Sequence, residues 1–111
     1  MSIKFITVHN FRQQYRPDLF MIDVRGPAEF QAQHVDGAKL YPLNELNAAK
    51  IESDLNQQGL KHEEPVFILC QAGMRAQVAA AQLVQQTGLN VVVVEGGTNA
   101  CMGAGLPIVQ G

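Results

Sequence analysis

Two runs constrain this chain more than anything else in it. Val66-Phe67-Ile68-Leu69-Cys70 and Val91-Val92-Val93-Val94 are continuous apolar stretches of strand length, with no polar residue alternating on one face. A strand of that kind has to be covered on both sides, a condition met by a parallel sheet with helices above and below. Neither run approaches the roughly 20 residues needed to cross a hydrocarbon layer, so no membrane span is expected. At 111 residues, the chain supports one domain around one sheet.

The remaining segments supply the rest of such a fold. Lys4 to Thr7, Phe20 to Val24 and Ala38 to Tyr41 are further strand candidates. Val8 to Tyr15 reads as a short helix, and Gly26-Pro27 opens another, with Pro27 suited to the first helical position and Glu29 to its positive end. Asn44 to Gln58 carries Leu46, Ile51 and Leu55 at helical spacing. Arg75 to Thr87 puts Val78, Ala79, Leu83 and Val84 on one side, and Gly88 follows as a left-handed cap. Gly96-Gly97 marks a turn, and Thr98 to Met102 a last helical turn. Strands alternating with helices predict a three-layer α/β/α sandwich with a mainly parallel five-stranded sheet, formed by residues 1–111 as a single domain. Sites in such sheets lie at the carboxyl ends of the strands.

Charge and cysteine content narrow the function. Eight Lys and Arg against ten Asp and Glu give a net charge of −2, without a basic block, so nucleic acid is not an expected partner. The start of the chain, with His9, Asn10, Arg12 and Gln13 soon after Ile6, has no apolar signal-peptide core, and cytoplasmic residence is the expectation. Cys70 and Cys101 are too few for a disulfide framework or a four-cysteine zinc site. His9, His34 and His62 show no zinc-ligand spacing, so neither metal nor cofactor is expected. A thiol that matters here matters as a nucleophile.

Cys70 has the setting for that. A buried strand delivers it to a carboxyl end, and Gln71-Ala72-Gly73 lead directly into a long helix through Met74 and Arg75. Successive backbone N–H groups in so short a loop can turn inward as an anion-binding nest, while the helix start adds about half a positive charge. Arg75 adds a permanent cation, and Gly73 allows the loop to curl over a bound group. All of these favour thiolate over thiol, with no base required.

Cys70-Gln71-Ala72-Gly73-Met74-Arg75 resembles the active-site loop of single-domain rhodaneses, sulfurtransferases that carry sulfane sulfur as a cysteine persulfide. Ile22-Asp23-Val24-Arg25, Glu29-Phe30 and His34-Val35-Asp36-Gly37-Ala38 are similar to the family's amino-terminal signature, and Glu95-Gly96-Gly97 with Gly105-Leu106-Pro107 to its carboxyl-terminal one. Where the family usually has a tryptophan after the paired glycines, this chain has Cys101. The resemblance implies a rhodanese-like fold, Cys70 as nucleophile, and Gln71, Ala72, Gly73, Met74 and Arg75 around the substrate. It also implies a small sulfur donor and a thiophilic acceptor, a sulfur-relay protein among the candidates. Related phosphatases place the arginine six positions after the cysteine; here Arg75 comes five after Cys70, a tighter ring suited to one extra sulfur atom.

The alternatives are a small cysteine-dependent phosphatase or arsenate reductase, and a non-catalytic binding module of the same fold. Apolar Met74 at the loop mouth predicts weaker capture of dianionic thiosulfate than of a thiol-bound or protein-bound persulfide. Asp23, Arg25 and Glu29 are expected as structural support, with Arg25 pairing to Glu29 across one helical turn and Asp23 ordering the neighbouring loops. His34 is expected to cap or pack a loop. Cys101 is either a small core residue or a thiol that resolves oxidised Cys70.

Overall fold

Both apolar runs lie side by side in the middle of the sheet. A computed structural model describes residues 3–61, 63–70 and 74–111, with Met74 described in its backbone alone. The strands of the main sheet are β1 (Lys4–Ile6), β2 (Met21–Asp23), β4 (Lys39–Leu40), β5 (Val66–Leu69) and β6 (Val91–Val94). They are parallel throughout, in the order β1-β6-β5-β2-β4, with β5 pairing β6 through Val66 and Val91, and β2 through Leu69 and Asp23. The helices are α1 (Val8–Gln14), α2 (Pro27–Ala32), α3 (Ala48–Gln57), α4 (Met74–Thr87) and α5 (Gly97–Gly103).

The two-residue period of a strand divides the core into two layers. Val66, Ile68 and Cys70 point to one face with Ile22, Val91 and Val93, where α3 supplies Ile51 and Leu55 and α4 supplies Ala76, Ala79, Ala80 and Leu83. Phe67 and Leu69 point to the other, with Met21, Val92 and Val94, where α1 supplies Phe11 and α5 supplies Cys101. Every residue of β5 and β6 is buried, as the absence of alternation in their sequence requires.

Two features depart from the sequence reading. His34–Val35 (β3) does not simply turn the chain toward the third sheet strand: it pairs antiparallel with Ile108–Val109 (β7), in register His34 to Val109. Two residues in each of these strands carry no periodic signal, so the ribbon depends on tertiary proximity. The helix expected from Asn44 instead begins at Ala48. Leu43–Glu45 forms a 3-10 turn whose Leu43 N–H donates to the Val24 carbonyl at 3.2 Å, and Asn47 caps α3 by accepting the Lys50 N–H at 3.0 Å. Gly88 takes the left-handed conformation expected of it, at φ 71°, with its N–H on the Val84 carbonyl.

Candidate functional site

The carboxyl ends of β5 and β2 place Cys70 between two neighbouring segments. Val24 donates its N–H to the Leu69 carbonyl at 2.9 Å, which sets Val24 beside Cys70. On the β6 side, Thr98 donates its N–H to the Cys70 carbonyl at 2.6 Å. Gly97 has φ 59°, and a Cβ there would collide with the Cys70 carbonyl oxygen, so the chain after β6 can close on Cys70 only through glycine. The sequence reading identified the glycine pair as a turn; its second function, a close approach to the cysteine's backbone, has no local signature. Cys70 itself is buried and joins the α3–α4 side of the core.

Arg75, in the first turn of α4, reaches across to α2. Its Nη1 lies 2.9 Å from Glu29 Oε1 and its Nη2 3.0 Å from Glu29 Oε2, a two-point pair in which planar guanidinium matches carboxylate. Glu29 Oε1 also accepts the Gly26 N–H at 3.0 Å, which satisfies one of the open donors at the start of α2. Arg75 foremost, then the Gly26 N–H, hold the Glu29 carboxyl down at about 2. The same hydrogen bonds raise the Arg75 pKa, and the charge of Cys70 acts in the same direction. A guanidinium bound to Glu29 therefore stands at the first turn of the helix that follows Cys70.

The expected Arg25–Glu29 pair does not form. Arg25 turns instead to Asp23, with Nε 2.9 Å from Oδ1 and Nη2 2.8 Å from Oδ2, both side chains buried. Asp23 Oδ1 also accepts the Arg25 N–H, and Arg25 Nη2 donates to the Gln33 carbonyl at 2.7 Å. The reason is geometric: β2 ends at Asp23 and the chain bends at Arg25, so the Asp23 carboxylate accepts both the Arg25 N–H and its guanidinium, while Glu29 on α2 meets Arg75 of α4. The Asp23 backbone carbonyl accepts the Tyr41 N–H at 2.9 Å.

A shallow cavity of about 290 Å³ opens here, bordered by Val24, Arg25, Pro42, Leu43, Asn44 and Arg75. A larger hollow of about 590 Å³ lies between the start of α3 and Gln86, but its described lining has neither cysteine nor histidine. Gln71, Ala72 and Gly73, expected around the substrate, lie outside the described residues, as does His62; Met74 is placed as the first residue of α4.

The other candidates fall into structural places. His34 stacks on Phe30 with ring centroids 3.7 Å apart, and its Nδ1–H donates to the Phe30 carbonyl at 2.8 Å, a packing role as expected. Cys101 is fully buried in the α1–α5 layer, on the sheet face opposite to the one Cys70 joins. Burial, with a smaller contribution from the Asp23 charge, pushes its thiol up to about 12, the behaviour of a core residue rather than of a reactive partner. No cluster of metal-ligating side chains occurs among the described residues.

Residues 7–104 match the family described as the Rhodanese-like domain. The uncharacterized protein YqhL of Bacillus subtilis is 33% identical over 95 residues, covering 86% of this chain and 69% of its own. The thiosulfate sulfurtransferase GlpE of Vibrio cholerae is 32% identical over 88 residues, covering 79% of this chain and 76% of its own. The solution structure of the rhodanese-like domain of Anabaena sp. Alr3790, 19% identical, superimposes with a TM-score of 0.75 over 99% of this chain and 80% of that one, and so shares the fold.

Proposed function

This chain belongs to the rhodanese-like domain family, and from that premise we propose that it is a sulfurtransferase that moves sulfane sulfur from thiosulfate or a persulfide to a thiophilic acceptor through a persulfide on Cys70. The observation that carries this reading is the placement of Cys70: a buried strand ends on it, and a helix whose first turn holds Arg75 begins four residues later. Similarity to GlpE proteins of about 30% identity supports the same activity class.

The mechanism is a double displacement. The Cys70 thiolate attacks the terminal sulfur of the donor; the donor's S–S bond breaks, and its electron pair leaves on sulfite or on a thiolate. The new persulfide is held at the start of α4, where open N–H groups of the helix and the charge of Arg75 favour an anion. An acceptor such as cyanide or a second thiol then attacks the outer sulfur, and the Cys70 thiolate departs. Both leaving groups are stable anions, so neither step needs a general acid. A phosphatase would need one for its leaving oxygen, whereas the Glu29 and Asp23 carboxylates are each held by an arginine.

Thiocyanate release from thiosulfate or an organic persulfide in the presence of cyanide tests this, together with the intact mass of the protein after donor alone. The expected result is a gain of about 32 Da, one sulfur atom, that is absent in Cys70→Ser. Phosphate release from an aryl phosphate without any sulfur adduct would support the phosphatase alternative, and no product from any donor would support a binding module.

A further inference from the structure

The six residues of α2 include none that is fully buried, and a helix so short does not hold its shape alone in water. Polar ties to other segments fix it instead. Glu29 meets Arg75 at 2.9 and 3.0 Å. Two residues further along, the Gln31 carbonyl accepts the Gly111 N–H at 2.8 Å, so the segment after β7 is bonded to the helix itself. β7 extends that connection: it pairs with β3 just after α2 ends, and the Pro107 carbonyl accepts the Asp36 N–H at 3.0 Å. Ile108 of β7 and Phe30 of α2 are half-buried against the same core layer. A further tie, from Arg25 Nη2 to the Gln33 carbonyl, lies at the helix end and leaves the turn carrying Glu29 and Gln31 to the other two.

We propose that β7 and Gly111 form a strap that seats α2, and that through Glu29 this strap sets the position of Arg75 in the first turn of α4. Ile108, Val109 and Gly111 are positioning residues in this scheme, acting through the helix they hold. The physical basis is the narrow tolerance of a two-point pair: both hydrogen bonds weaken steeply beyond about 3.2 Å, so a shift of α2 by about one ångström breaks the match of carboxylate to guanidinium. Glu29 and Gln31 share one short rigid element, and displacement of the second is carried to the first. The proposal rests on the sulfurtransferase reading for its effect on rate, while the seating of Glu29 on Arg75 is a property of the fold and can be measured separately.

Two variants loosen the strap. Val109→Pro disrupts the pairing of β7 with His34, and Gly111→Pro removes the N–H that reaches the Gln31 carbonyl. Gly111 is exposed, so its replacement leaves the core intact and decides the matter should Val109→Pro fail to fold. The first readout is the carbon-13 shift of the Glu29 carboxyl against pH. Arg75 holds that group at about 2, so in the wild type the shift should stay flat from neutral down to about pH 3.5, and each variant should bring the titration up toward 4.5. The second is kcat/KM for thiocyanate formation, measured for each strap variant with Glu29 and with Glu29→Gln. The expected loss is about five-fold where Glu29 is present and less than about two-fold where it is not, because residues acting through one contact are not additive. A merely structural strap would cost the same in both backgrounds. Equal losses, or an unmoved Glu29 titration in folded Gly111→Pro, overturn the proposal. If the wild type gains no sulfur from any donor, the sulfurtransferase reading fails, and the Glu29 titration still decides whether the strap seats Arg75.

Discussion

Arg75 and Glu29 meet at two points, 2.9 and 3.0 Å, and through them the helix that follows Cys70 is tied to the helix that follows β2. Because Glu29 also accepts the Gly26 N–H, one carboxylate serves a helix start and an ion pair together. The pair is partly exposed, which limits its energetic value, but its geometry fixes where the first turn of α4 stands.

That arrangement has a pH signature. The carboxyl of Glu29 goes from about 4.5 in the unfolded chain to about 2 in the folded one, so its stabilising contribution is complete above 4.5 and is lost as pH falls through about 2. Glu29→Gln should cost less than about 1 kcal/mol at pH 7, given the exposure of the pair. The stability difference between wild type and Glu29→Gln, from urea unfolding, should stay constant at neutral pH and shrink below 4.5. A difference that grows in acid would contradict the ion pair.

The Asp23–Arg25 pair behaves otherwise because it is buried. Asp23→Ala leaves the Arg25 guanidinium without its counter-charge beneath the cavity, and the expected loss is about 3–5 kcal/mol. Replacing both, as Asp23→Ala with Arg25→Met, should recover part of it. Chemical denaturation of the single and double variants measures the difference.

Gly97 is the position where backbone and site are least separable. Gly97→Ala faces a backbone cost of about 1–3 kcal/mol at positive φ, and in addition a collision with the Cys70 carbonyl oxygen. Gly59, also at positive φ but with open space around it, is the control. Gly59→Ala should lower stability without changing sulfur loading, while Gly97→Ala should lower both.

Cys101 should be chemically silent. With its thiol near 12, about one molecule in ten thousand carries the thiolate at pH 8, and the side chain is fully buried. Alkylation of the native protein should leave Cys101 unmodified until denaturant is added. Early labelling of Cys101, or a Cys70–Cys101 crosslink after peroxide, would instead restore the resolving-thiol reading.

Much of the molecule was legible in advance because its signals are local. Uninterrupted valine and isoleucine runs require cover on both faces wherever they lie, and that requirement yields the parallel sheet, its flanking helices and the delivery of Cys70 to a strand end. The short step from Cys70 to Arg75 is likewise a property of adjacent residues. What only the tertiary structure decided are relations between segments distant along the chain: Arg75 with Glu29, Gly97 against Cys70, and His34–Val35 against Ile108–Val109. A guanidinium attracts any carboxylate within reach, so its charge does not name its partner. That choice follows from which side chains the packed strands and helices bring to about 3 Å, and Asp23 took Arg25 because the bend after β2 brings the Arg25 N–H and guanidinium onto its carboxylate.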